Sequence, residues 1–306
     1  MTPASVGFLL HPREDEAILA DALAVVEALE MATWVASQDA EPVLRERLEG
    51  CRLLVTVGGD GTFLLGARHA GPRGVPVLGA NRGQLGFLTE IEVGSMPDAL
   101  RAFFGGRTHS QRRSFLQLSV PADEAQSSSL AYAHALNEVV VKSVGTNLAR
   151  LRVDADDELL GEFDADGVIV ATATGSTAYS LSAGGPPMDP RVRALIVVPL
   201  APFAVLTRAV VLPEMTSLRV TLVHGRAYAA ADGYLDVTLH EGDCVSVDPG
   251  PELEVVRIPG SPSFLRRLRE KMRLGTPLKP LGGDSSISQP PTAPVPPPAG
   301  AGEGVR

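Results

Sequence analysis

The chain predicts an N-terminal α/β domain followed by an all-β sandwich domain, and three observations carry that expectation. Over the first ~100 residues, apolar runs alternate with stretches of helical period, the pattern of a parallel α/β layer. From Ser114 to Ile258 short apolar runs separated by polar turns follow one another with almost no helical pattern, as in a sandwich. Within the first of these textures stands V-T-V-G-G-D-G-T, Val55 to Thr62, where a buried run is broken by three glycines around an aspartate.

Taken in order, Val6 to Leu10 is a short apolar strand. Pro12, Glu14 and Asp15 mark a helix start, with the acidic groups at the positive end of the helix. Ile18, Ala22, Val25, Val26 and Leu29 then recur at helical spacing. Pro42 to Leu48 reads as a short helix, and Leu53 to Val57 as a buried strand running into Gly58-Gly59-Asp60-Gly61. Thr62 is expected to cap the next helix, which runs through Phe63, Leu64, Leu65, Ala67 and Arg68 and ends near Gly71-Pro72. Val75, Val77 and Leu78 give another buried strand, followed by a loop to Glu90 with three more glycines. Met96 to Phe104 is a helix closed by Gly105-Gly106.

Strands are then expected at 114–120, 131–142, 149–153, 167–173, 195–198, 218–223, 235–239, 244–247 and 253–258, with Gln126 to Ser129 as an exposed hairpin tip. Phe264 to Leu274 is a basic amphipathic helix that reads as a solvated surface helix. Beyond it, eight of the chain's 25 prolines fall in the last 31 residues, a composition without enough apolar surface for a core. The domain boundaries read from this are 1–105 for the α/β part and 106–260 for the sandwich. A helix over 261–275, which one arrangement returns to the first domain, and a disordered tail over 276–306 complete the chain.

Bulk properties narrow the function classes. With 306 residues, 44% hydrophobic and 21% charged, the chain has material for sizeable cores. No apolar stretch reaches the ~18 residues of a membrane span, and no basic-then-apolar leader opens the sequence. Two cysteines, Cys51 and Cys244, make no disulfide framework and fit a reducing cytoplasm. A net charge of −9 argues against non-specific nucleic-acid binding as the main task.

The chemistry concentrates in four stretches. In G-G-D-G-T the glycines let backbone N–H groups approach an anion, and the following helix N-terminus favours phosphate. Asp60 would repel phosphate, so it suits a base for a nearby hydroxyl or a Mg²⁺ contact. A plain strand-to-helix turn with a capping aspartate is the alternative. The loop Asn81 to Thr89 is either a ligand edge or a connection whose glycines serve backbone geometry. Asn137-Glu138 sets two polar residues inside an apolar strand, suited to hydroxyl and amide recognition or to a structural pairing with a neighbouring turn. Asp166 to Pro186 runs a buried strand into a hydroxyl-rich turn, where Tyr179 offers a flat face for stacking a base. Its G-S-T-A-Y segment lacks the spacing of a hydrolase nucleophile elbow.

Together, Gly58 to Thr62, Asn81 to Thr89, Asn137-Glu138 and Thr174 to Pro186 resemble the NAD kinase family, in the family's order, over roughly residues 5 to 260. The glycine turn alone is also similar to that of diacylglycerol kinases and, more loosely, phosphofructokinases; the later block separates the families. The resemblance implies phosphorylation of the adenosine ribose 2′-hydroxyl of NAD, with ATP or polyphosphate as donor and Mg²⁺ or another divalent cation. Asp60 would be the base, and Gly58, Gly59, Gly61 and Thr62 would line the donor's phosphates, with Asp60 and Gly61 also touching NAD. Asn137 and Glu138 would hold a ribose, and Asp166 would meet the nicotinamide end. Thr177, Ala178, Tyr179, Ser180, Ser182 and Ala201 would line the dinucleotide pocket. The resemblance implies a homodimer or tetramer that uses neither nucleic acid nor membrane, and it assigns no metal-ligand residues. Three positions depart from the pattern: Ala173 replaces a proline, Phe203 a histidine, and Tyr234 a glutamine. Two other readings remain: a lipid kinase sharing the glycine turn, and a catalytically silent dinucleotide sensor.

Overall fold

The structure, a computed structural model, describes residues 4–37, 41–83, 86–120, 132–203 and 208–272. The expected hairpin tip at Gln126 to Ser129 and the expected disordered tail lie outside the described residues. The first part runs β1 (Ser5–Leu10), α1 (Ala20–Ala28), β2 (Ala32–Ser37), α2 (Glu41–Arg47), β3 (Cys51–Val57) and α3 (Asp60–Ala70). It continues with β4 (Val77–Asn81), the two-residue β5 (Ile91–Glu92) and α4 (Met96–Phe104). Next come β6 (His109–Ser119), β7 (Tyr132–Ala135), β8 (Glu138–Ser143), β9 (Ala149–Ala155), β10 (Glu158–Ala165) and β11 (Gly167–Thr172). A single helical turn, α5 (Tyr179–Ser182), precedes β12 (Ala194–Leu200), β13 (Val210–Pro213), β14 (Leu218–His224) and β15 (Ala227–Ala231). The last elements are β16 (Leu235–Leu239), β17 (Cys244–Arg257) and α6 (Phe264–Met272).

β1, β2, β3 and β4 pair in parallel, and β1 is buried along its whole length, as a central parallel strand must be. α1 starts after a 3₁₀ turn capped by Asp15, whose carboxylate accepts from the Ala17 N–H at 2.9 Å. Its Ala22, Val25 and Val26 meet Met96, Ala99 and Leu100 of α4 in one core with the strand residues Val6, Phe8 and Val55. The parallel strands do not end in a separate sheet. β17 pairs in parallel with β4 at Val255–Val77 and antiparallel with β6 and β14, so an order β10-β9-β14-β17-β4-β3-β1-β2 runs through both halves of the sequence.

A second sheet, β13-β12-β11-β8-β15-β16, lies face to face with the antiparallel end of the first. Val139, Val141, Val168, Val170, Leu195 and Val197 point inward from it against Leu118, Leu151, Val153, Val220 and Val245. The period-two alternation across these strands is what builds a sandwich core. Its other face is covered in part as well, with Val140, Ile169 and Ile196 packed on Ala173 and Met188.

Several expectations are corrected in detail. The single strand expected over 131–142 is two strands broken at Leu136-Asn137, because those N–H groups bond the Asp232 carboxylate instead of a ladder partner. The two strands expected at 244–247 and 253–258 are one, carried through Pro249-Gly250-Pro251 by a register shift between Pro249 and Glu252. Strands β2, β5, β10, β13 and β15 escape the sequence reading. β15 is Ala-Tyr-Ala-Ala-Ala, weak in intrinsic strand preference, and is held as a strand by pairing on both sides with β8 and β16.

Candidate active site

Helix α3 begins at Asp60, not after Thr62: Gly59 is the N-cap and no side chain caps the turn. The expected cap at Thr62 is thus a correction. Asp60, the side chain best placed to cap, spends its carboxylate elsewhere. Its Oδ2 accepts from the Phe87 N–H at 3.1 Å and its Oδ1 from the Leu88 N–H at 3.2 Å. The first-turn N–H groups of α3 have no partner within the helix and carry its positive end, the arrangement that receives phosphate. Gly58 is required sterically, since a Cβ there would collide with the Thr62 hydroxyl, whereas Gly59 and Gly61 face open space. Thr62 is buried under Gly58, its Oγ1 without a hydrogen-bond partner.

The loop after β4 is built around Asp60. Gly86 has no room for a Cβ because the Asp60 carboxylate occupies that space. The Gly86 N–H donates to Thr89 Oγ1 at 2.8 Å, and the Gly83 N–H to Asn81 Oδ1 at 3.0 Å. From the far end of the chain, Arg267 donates to the carbonyls of Gly86 (3.2 Å) and Thr89 and pairs with buried Glu90 at 2.8 Å. Glu90 also pairs with Arg257 at 2.7 Å and accepts from the Ile258 N–H at 3.0 Å.

The second sheet supplies the other wall. Glu138 opens β8 directly opposite Ala171 of β11. Asp232, in the β15–β16 turn with φ +45°, accepts from the N–H groups of Leu136, Asn137 and Glu138 at 2.7, 2.9 and 3.0 Å. Burial pushes the Asp232 carboxyl up to about 6 against the pull of these three donors. Glu138 is pushed up to about 7, first by burial and then by the Asp232 charge, while an N–H bond from Tyr179 pulls the other way. Its Oε2 is buried without a partner. Leu136 to Glu138 is clamped from the β11 side too: Thr172 Oγ1 donates to the Leu136 carbonyl at 2.6 Å, and Gly175 has no space for a Cβ over the Asn137 backbone. Thr177 and Ala178 are half-buried, and Tyr179 and Ser182 are exposed, at the end of β11 where Glu138 lies. Ser180 is fully buried, its hydroxyl packed where Gly185 has only a hydrogen.

These two walls meet. Arg68 of α3 stacks its guanidinium 3.7 Å from the centre of the Tyr234 ring, whose hydroxyl donates to the His134 carbonyl at 2.9 Å. Phe87 and Leu88 share the lining of a cavity of about 650 Å³ with Thr174 and Thr177. Two of the expected residues fall elsewhere. Asp166 precedes β11 at the Lys142 end of the sheet, and Ala201 (φ +42°) follows β12 at that same end. Six residues of strand separate Asp166 from Thr172, about 20 Å at ~3.3 Å per residue.

Asp232 and Arg113 escape the sequence reading. Asp232 receives N–H groups from residues 94 to 96 positions away, which only the fold reveals. Arg113 is 5% exposed and donates at 3.2 Å to Thr174 Oγ1, 61 residues along the chain, a pairing no local pattern announces.

The raised Glu138 carboxyl has a pH signature. Its folded value of about 7 lies above its ordinary value of 4.5, so folding favours the protonated form. The stability this provides is complete below the ordinary carboxylate range and lost as pH rises through about 7. Glu138→Gln, which fixes the neutral form, should therefore gain Tm relative to the parent as pH rises from about 5 to about 8. A Tm difference that stays constant over that interval would refute the assignment.

Comparison with known proteins covers most of the described fold. The family model for the ATP-NAD kinase N-terminal domain matches residues 8–108, and that for the ATP-NAD kinase C-terminal domain matches residues 136–257. The chain is 41% identical over 239 residues to the NAD kinase of Heliobacterium modesticaldum, covering 76% of this chain and 83% of the relative. It is 39% identical over 236 residues to that of Bordetella avium, covering 75% and 78%. Among solved structures, yeast NADH kinase complexed with NADH shares the fold with a TM-score of 0.79 at 24% identity, over 92% of this chain and 91% of that one. An NAD kinase from Archaeoglobus fulgidus in complex with ATP gives a TM-score of 0.68 at 25% identity, over 88% and 98%.

Proposed function

This chain belongs to the NAD kinase family, enzymes that phosphorylate NAD with ATP, and on that premise we propose how its residues carry the reaction. The acceptor is the 2′-hydroxyl of the adenosine ribose. Asp60 takes the proton of that hydroxyl as its oxygen bonds to the γ-phosphorus of ATP. The bond from that phosphorus to the bridging oxygen of ADP breaks, and the proton passes on to solvent. Gly58, Gly59, Gly61 and Thr62 line the donor's phosphates, with the α3 N-terminus facing them. Asn137 and Glu138 hold a ribose, and Thr177, Ala178, Tyr179 and Ser182 line the dinucleotide, with Ser180 supporting that wall from behind.

One observation carries this reading: the buried, unpartnered Glu138 Oε2 beside Tyr179. An orphaned buried polar atom costs about 1–3 kcal/mol, which a ribose hydroxyl would recover. The lipid-kinase reading leaves this atom and the Thr174 to Pro186 block without a role.

Among the described residues no group of three or more His, Cys, Asp or Glu side chains is gathered to hold a metal. In this reading a divalent cation arrives on the donor's phosphates and Asp60 would help to hold it; once bound it would neutralise phosphate charge. No helix among the described residues is long and apolar enough to cross a membrane, and we place the enzyme in the cytoplasm as the reading that fits two free cysteines.

In this reading Asp166 and Ala201 meet the nicotinamide of a second copy, in a homo-oligomer. Phe203, 85% exposed two residues after Ala201, gives that surface an apolar anchor. The deciding experiment incubates the full chain with NAD, ATP and Mg²⁺ and follows NADP by a dehydrogenase that accepts NADP only. Product is expected, with the new phosphate on the adenosine ribose by ³¹P NMR. Binding of NAD without any turnover, with ATP or with polyphosphate, would favour the sensor reading instead.

A further inference from the structure

The cavity beside Phe87 and Leu88 has a chemistry that the NAD-binding residues do not explain. Arg113 lines it with 5% exposure, yet pairs with no carboxylate among the described residues. Its Nη1 donates to Thr174 Oγ1 at 3.2 Å and its Nη2 to Gln111 Oε1 at 3.2 Å, both neutral acceptors. Its Nε is buried with no partner at all. A desolvated guanidinium with an open donor is costly unless an anion completes it.

Its neighbours increase the imbalance. Arg257 and Arg267 line the same cavity and share the single carboxylate of Glu90. Both push on Arg113 electrostatically and, with burial as the larger cause, bring it down to about 9. The acids that face Arg113 are Glu90, already committed to two arginines, and Asp189, which pairs with Arg191 at 2.8 Å. Arg113, Arg257 and Arg267 thus converge on two carboxylates, Glu90 shared by the latter two and Asp189 already paired with Arg191. Planar guanidinium forks of this kind match phosphate oxygens bidentately.

We propose that the Arg113 cavity is an oxyanion subsite that takes phosphoryl groups, its occupant being the part of the phosphoryl donor's polyphosphate tail beyond the glycine turn of Gly58 to Thr62. The position supports that occupant: Phe87 and Leu88, whose N–H groups hold Asp60, form part of the cavity wall. The inference rests on the kinase reading for the identity of the anion, though not for its chemistry.

The test titrates inorganic tripolyphosphate into the full chain by calorimetry, without nucleotide, and repeats it with two variants. Arg113→Met should weaken binding by at least ~10-fold, the loss of a charge-assisted fork. Asp189→Asn, at a side chain on the cavity wall that is 22% exposed, should tighten it by about 3-fold, because it removes a competing negative charge and frees Arg191. Opposite shifts from the two variants establish the subsite. If Arg113→Met does not fold, Asp189→Asn decides alone: an unchanged or weakened affinity overturns the proposal. Competition by ATP identifies the donor's tail as occupant, and tripolyphosphate binding unaffected by ATP means that the same oxyanion site serves a free phosphate compound. NADP formation by a chain whose tripolyphosphate affinity ignores both substitutions would sink this inference and leave the kinase reading standing. Responsive binding without NADP formation would do the reverse.

Discussion

Asp60→Asn is expected to lower NADP formation by at least ~10²-fold, the usual worth of a positioned general base. The geometry shows why this substitution is the cleanest probe. The Asp60 carboxylate accepts two backbone N–H bonds, from Phe87 and Leu88, so it is fixed in place while retaining lone pairs for a hydroxyl. Asparagine keeps the shape and one acceptor oxygen, but it cannot take a proton and turns one of the two N–H partners toward an NH₂ group. Asp60→Ala would do more, orphaning both donors at a cost of about 1–3 kcal/mol each if they stay buried. Asparagine is therefore the substitution that best spares the fold. A complementary variant leaves the carboxylate intact and moves it: Gly86→Ala places a methyl group in the space that Asp60 occupies. Overpacking of this kind costs ~1–3 kcal/mol, and activity should fall although the base is still present. Asp60→Asn retaining more than about a tenth of parental turnover, in a protein with parental Tm, would remove Asp60 from the chemistry.

How much of this was readable beforehand depends on how local each signal is. The G-G-D-G-T turn announced itself because strand, break and helix are adjacent in sequence, and the structure keeps all three, shifting only the helix start by the diversion of Asp60 to Phe87 and Leu88. The β-rich half was legible in kind and less so in count. Strands such as β15 owe their state to neighbours far along the chain, and the break at Leu136-Asn137 is imposed by Asp232, more than ninety residues away. The same holds for the site. Glu138 stood out as a charge in an apolar run, but its raised proton affinity depends on Asp232 and on burial, which no local pattern encodes. Asp166 and Ala201 illustrate the converse: the family resemblance alone implies their place at the dinucleotide, and the register of β11 and β12 sets them at the end of the sheet away from Glu138.

The largest stability effect is expected from Glu90→Ala. Glu90 has no exposed side-chain surface and is shared by Arg257 and Arg267, themselves 14% and 4% exposed. Whether the intact triad is better than an apolar trio is immaterial to the prediction, since breaking a buried ion pair strands the remaining charge and typically costs 3–5 kcal/mol. Here two cations would be stranded at once, with Arg113 adding to their repulsion, and the Ile258 N–H would lose its acceptor. Glu90→Gln should fall between, because an amide oxygen can still accept from Ile258 while the charge is gone. The exposed pair Arg101–Asp98 provides the contrast: its side chains are 57% and 89% exposed, and Asp98→Ala should change stability by less than ~1 kcal/mol. Urea unfolding of the three variants measures the order directly, and Glu90→Ala within ~1 kcal/mol of the parent would disprove the role given to the triad. The consequence for function follows from what Arg267 holds. Its bonds to the Gly86 and Thr89 carbonyls fix the segment whose Phe87 and Leu88 N–H groups position Asp60. A chain that has lost Glu90 should therefore lose turnover even under conditions where it remains folded, with kcat falling further than the affinity for NAD.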